Sequence, residues 1–161
     1  MRKGQFYLFF MVIMIASLAA LVPRGTGIKA PSREMARLSQ NFEAEAPKAV
    51  NSAIANSSNV TAAFSDLSGS FTAYAQATMP GFGMAYALRQ EQLFVGNRFP
   101  WDIQVNGQTL PANATQTLSA NSTARFTING TNYSLSLPLV NSFAAVLWTR
   151  SGNEVEVQTV G

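Results

Sequence analysis

The chain is 161 residues long and contains neither Cys nor His. That excludes disulfides, thiolate or imidazole metal sites, and every catalytic arrangement built on a nucleophile beside an imidazole. Only 12% of residues are charged, and the net charge is +3. Without Arg2 and Lys3, nine Lys/Arg face eight Asp/Glu, a balance too even to hold a nucleic acid.

The first element is an apolar run. Gln5 to Val22 reads QFYLFFMVIMIASLAALV, 18 residues without a charge. As a helix it is about 27 Å long, close to the hydrocarbon thickness of a bilayer, and it is apolar on every face rather than along one stripe. The run is therefore expected to enter a membrane. Three outcomes follow from the residues: an uncleaved anchor; a secretory signal cut after the small residues Ser17-Leu18-Ala19; or a short basic leader removed ahead of the run.

The third is the closest match. Arg2-Lys3-Gly4-Gln5 directly before Phe6-Tyr7-Leu8-Phe9-Phe10 resembles the class III signal of archaeal type IV pilins. The resemblance covers about the first 25 residues. It implies cleavage by a prepilin peptidase between Gly4 and Gln5, with the apolar run kept on the mature subunit. It also implies a homo-polymer whose filament core is built from Phe6, Leu8, Phe9, Phe10, Val12, Ile13, Ile15, Leu18 and Leu21, the precursor residing in the membrane before assembly.

Asn-x-Ser/Thr sequons begin at Asn56, Asn59, Asn113, Asn121, Asn129 and Asn132. Twelve Asn and 27 Ser/Thr give about two by chance in a chain of this length. Sequons act on the exported side of a membrane, so the excess predicts an outside location for residues 56–134, with N-linked glycans as the only expected addition. Basic residues alone favour the opposite orientation, since Arg24, Lys29, Arg33 and Arg37 follow the run and only Arg2 and Lys3 precede it. The sequons outweigh that tendency.

Two helical stripes come next. Met35, Leu38, Phe42, Ala46, Val50 and Ile54 recur at intervals of three and four behind Ser32 as N-cap, with Pro47 expected to bend or restart the helix. Val60, Phe64, Leu67, Phe71 and Tyr74 form a second stripe, capped by Ser58 or Asn59 and weakened at Gly69. Met79 to Gly83 reads as a loop. Beyond it the period becomes two: Trp101, Ile103 and Val105 run into Asn106-Gly107; Ala124, Phe126 and Ile128 run into Asn129-Gly130, with Tyr133, Leu135 and Leu137 returning. Phe143 to Thr149 and Val155 with Val157 make a third pair. Pro111 and Pro138 suit strand ends.

The expected fold is α+β. A long hydrophobic N-terminal α-helix, a stalk over residues 5–55 and apolar to about residue 22, follows a cleaved leader at 1–4. It precedes a β-rich antiparallel sheet or sandwich head over 56–161, whose helix lies at about 60–78. Chemistry is not expected. Glu154 and Glu156 share one face of a strand, read here as its solvated side; Glu43 and Glu45 do not face each other on a helix; and Gly81-Phe82-Gly83 lacks the strand, helix and Lys of a phosphate loop. The residues predict a non-enzyme with no catalytic, cofactor-binding or metal site, and the pilin resemblance implies a structural subunit of a cell-surface, extracellular filament with a glycosylated head outward. The alternative is a membrane-anchored or secreted surface glycoprotein with a β-rich binding domain.

Overall fold

A computed structural model describes residues 32–119 and 122–161. These fold as two helices, α1 (Arg33–Ala55) and α2 (Val60–Thr78), followed by nine strands.

The expected stalk is corrected here. The first helix among the described residues does not run on from the apolar segment: it begins at Arg33, with the Ser32 hydroxyl accepting the Met35 N–H at 3.2 Å as N-cap. It is amphipathic, with Met35, Leu38, Phe42, Ala46, Val50 and Ala53 buried and charged residues facing water. No helix among the described residues is long and apolar enough to cross a membrane. Residues 5–31 of the expected helix lie outside the described ones.

Helix α1 passes through Pro47 without restarting. Pro47 is exposed, so the Glu43 carbonyl deprived of a partner faces solvent, while Ala46 and Val50 remain packed on the other side. The helix stops where Ser57 takes a left-handed conformation (φ 52°) and the Ser58 N–H reaches back to the Ala53 carbonyl. Asn59 then caps α2, accepting the Ala62 N–H at 3.1 Å. Ile54 and Tyr74, expected in the stripes, are instead 46% and 56% exposed, and their neighbours Ala53 and Ala75 are buried. A 3.6-residue turn drifts away from a strict spacing of three and four over five turns, and the small residue takes the inward place.

The strands are β1 (Gly83–Arg89), β2 (Leu93–Asn97), β3 (Ile103–Val105), β4 (Gln108–Leu110), β5 (Thr115–Leu118), β6 (Thr123–Ile128), β7 (Thr131–Ser136), β8 (Ser142–Ser151) and β9 (Glu154–Val160). They form a five-stranded sheet in the order β5-β2-β1-β8-β9 and a four-stranded sheet in the order β4-β3-β6-β7, with all pairings antiparallel. Trp101, expected on a strand, sits in the bend before β3.

The five-stranded sheet is the middle of three layers. One of its faces presents Met84, Tyr86, Leu88, Leu147 and Val160 to Met35, Phe42 and Phe64 of the helices. The other presents Ala85, Ala87, Val95, Val146 and Trp148 to Val105, Phe126, Ile128 and Leu135 of the smaller sheet. This is why β1 and β8 carry runs of buried residues with no polar alternation.

The helix-side core is largely aromatic. Phe42 meets Phe64 and Phe143 edge-on at 6.0 Å, and Phe64 meets Tyr86 at 5.2 Å. Tyr86 lies across Gly96 on the neighbouring strand, where any Cβ would overlap its ring. Arg98 stands 6.0 Å from the same ring and binds α2, its guanidinium donating to the Ser65 carbonyl and hydroxyl and to the Ser68 hydroxyl. Asn106-Gly107 and Asn129-Gly130 turn their hairpins with both residues at positive φ, as a tight primed turn requires.

Glu156 departs from the solvated position expected of it. It is half-buried, and its carboxylate accepts the Ser32 N–H at 2.9 Å. Because β9 is covered by the start of α1, the face opposite Val155 and Val157 is also occupied.

Candidate functional site

Three turns and a bend converge at one end of the two packed sheets. The β6–β7 turn brings Asn129, the end of β8 and the turn after it bring Arg150 and Gly152, the segment after α2 brings Gly81, and the bend before β3 brings Trp101 and Asp102. With Trp148 they line a recess of about 560 Å³.

Each position has a local cause. Asn97, fully buried at the end of β2, donates from its amide to the carbonyls of Trp101, Leu110 and Pro111 at 2.9, 3.1 and 3.0 Å, and accepts the Phe99 N–H at 2.8 Å. One side chain thus closes the bend that carries Trp101. The Trp101 ring meets Phe99 at 5.1 Å and stands edge-to-face against buried Trp148 at 5.4 Å, yet it remains 36% exposed. Asp102 is held by accepting the Ala112 N–H at 3.0 Å, and Arg150 by donating from Nε to the Gly152 carbonyl at 3.0 Å. Gly81 approaches the Arg150 backbone so closely that a Cβ would overlap it. The result is a fixed indole face beside an acceptor, a cation and an amide.

A larger groove of about 860 Å³ runs over the outer face of the small sheet, lined by Arg125, Thr127, Asn132 and Ser134 among others. Tyr133 at its margin has its phenol pushed above the usual range by burial, an effect that its hydrogen bond with Thr131 opposes.

The sequons are dispersed. Asn56 ends α1, Asn59 caps α2, Asn113 and Asn129 occupy left-handed positions in turns (φ 55° and 50°), and Asn132 lies on β7. All five are exposed. The Oδ1 atoms of Asn59 and Asn132 accept hydrogen bonds from the hydroxyls of Thr61 and Thr127, leaving Nδ2, the atom a glycan would use, free of that role. Asn121 lies outside the described residues. So do Gly4 and Gln5, and so do Phe6, Leu8, Phe9, Phe10, Val12, Ile13, Ile15, Leu18 and Leu21 of the expected filament core.

Among the described residues no three acidic side chains gather as a metal site would need. The recess at Trp101 is a feature that sequence reasoning missed. Its residues come from four separate segments, and Trp101 reads along the chain as the first inward position of a strand. The available signal was Pro100 before Trp101-Asp102, which sets an aromatic residue at a break.

Compared with protein-family models, curated proteins and solved structures, the chain finds no match in any of the three.

Proposed function

We propose that the chain is a structural subunit of an archaeal type IV pilus-like extracellular filament, made as a membrane-inserted precursor and polymerised through its apolar segment Gln5–Val22. The observation that carries this reading is Arg2-Lys3-Gly4-Gln5 set directly against 18 uncharged residues. A membrane peptidase cutting at Gly4 would leave that segment on the mature chain. Lipid and Leu are equally apolar, so transfer from the bilayer into a fibre gains little hydrophobic energy and depends on close packing between copies. Once outside, returning the segment to water would cost on the order of tens of kcal/mol, which holds the fibre together.

The rest of the chain supports this role. The described residues bury their own core without a Cys, and the five exposed sequons among them suit an outward, glycosylated surface. No residue is assigned a catalytic part. Mass spectrometry of the native protein's N-terminus tests the reading. Gln5 as the first residue, with the protein sedimenting as filaments, is the expected result. A chain starting at Met1 would make it a membrane-anchored surface glycoprotein, and one starting near Ala20 a secreted glycoprotein; either overturns the filament.

A further inference from the structure

We infer that the recess at Trp101 is a pyranose-binding site. A pyranose ring offers one face of C–H bonds and a rim of hydroxyls. It therefore needs a flat π surface beside groups that both accept and donate hydrogen bonds. Here the exposed Trp101 indole supplies the surface, held by ring contacts with Phe99 and Trp148 so that little side-chain freedom is lost on binding. Asp102 supplies the acceptor, and the Arg150 guanidinium supplies paired donors whose spacing suits vicinal hydroxyls. Both are anchored through one atom, Asp102 Oδ1 to Ala112 and Arg150 Nε to Gly152. The volume of about 560 Å³ suits a small ligand.

Two sources of pyranose share this chemistry. One is a foreign glycan. The other is the chain's own, because Asn129, which begins the sequon Asn129-Gly130-Thr131, forms one lip of the recess; a sugar attached there would start beside the indole. The site holds whether or not the chain polymerises.

Both tryptophans of the protein line this recess, so their emission reports on it directly. The full-length chain, made without glycans, is titrated with methyl α-mannopyranoside, methyl β-glucopyranoside, methyl β-galactopyranoside and N-acetylglucosamine. Sorbitol serves as an acyclic polyol without a ring face. At least one pyranoside is expected to shift the emission saturably, with sorbitol inert. Trp101→Ala is expected to weaken binding about tenfold and Asp102→Asn, which keeps the Ala112 contact, about threefold. Far-UV circular dichroism identifies any variant that has not folded, and Asp102→Asn then carries the test. The chain from a glycosylating host, compared with Asn129→Gln from the same host, separates the sources. If the site serves its own glycan, the emission differs between the two and free pyranosides bind only the variant; if it serves a foreign glycan, both bind alike. The inference is overturned if no probe gives a saturable shift and Asn129→Gln leaves the emission unchanged. It is equally overturned if sorbitol matches the pyranosides, or if both pocket substitutions leave affinity within about twofold.

Discussion

The two sheets are built from similar apolar residues but live under different constraints. The small sheet has one face in the core and one in water, so along β6 the buried Ala124, Phe126 and Ile128 alternate with Thr123, Arg125 and Thr127. The five-stranded sheet lies between helices and the small sheet, so consecutive residues such as Ala85 and Tyr86 are both buried, one toward each neighbour. A strand with one solvent face can accept any polar residue at every second position. A strand in a middle layer has no such position.

The largest effect tests this difference directly. Ala85→Asp and Tyr86→Asp each place an unpaired carboxylate in a dry layer, and each is expected to cost more than about 4 kcal/mol, enough to leave much of the chain unfolded. Arg125→Asp, on the outer face of β6, is expected to change stability by less than about 0.5 kcal/mol. Urea midpoints followed by circular dichroism give the ranking. If Ala85→Asp and Arg125→Asp shifted the midpoint equally, the middle-layer reading of β1 would fail.

The seam between the sheets comes next in magnitude. Asn97 belongs to the five-stranded sheet, but its amide serves the carbonyls of Leu110 and Pro111 at the end of β4, in the other sheet. Asn97→Ala leaves three carbonyls and one N–H without that partner and is expected to cost about 2–4 kcal/mol. Asn97→Asp, which keeps the Phe99 contact but turns a donor into an acceptor against three carbonyls, should be at least as damaging. Thermal melts should show both, and recovery of wild-type stability in Asn97→Asp would remove the amide from its proposed role.

The same difference explains what the amino-acid pattern reveals. The β6–β7 hairpin is legible because its alternation and its Asn129-Gly130 turn agree. The helical stripe of α2 is legible in part: Phe64 is buried and Leu67 and Phe71 pack half-buried against the same core, while the fully buried places beside them go to the small residues Ser68, Thr72 and Ala75. Strands β1 and β2 carry no such signal: Met84 to Leu88 is buried throughout, and a short apolar run without alternation has no readable period. The expected stalk failed for a different reason. The bounds 5–55 join the apolar run to the next stripe as one stalk, although the Ser32 N-cap, legible in the sequence, marks where α1 begins. The Trp101 recess is the least legible part, because Gly81, Trp101, Asn129 and Arg150 meet only after both sheets have formed.

The smallest expected effect lies at the margin of the five-stranded sheet, where β9 is an edge strand and would ordinarily show one face to water. Val155 and Val157 pack toward the small sheet, and on the opposite face Glu156 accepts the N–H of Ser32, the N-cap of α1. A carboxylate there contributes in two separable ways: as an acceptor for the Ser32 N–H, and as a negative charge against the positive end of the helix. Glu156→Gln keeps an acceptor and removes the charge, and is expected to cost about 0.3–1 kcal/mol. Glu156→Ala removes both and should cost about 1 kcal/mol more. Raising the salt concentration to about 1 M screens the first loss but leaves the second. Thus Gln and wild type should converge in stability at high salt while Ala stays below both. If all three variants were equal at low salt, β9 would be an ordinary edge with one solvated face, and the double covering of the middle sheet would end at β8.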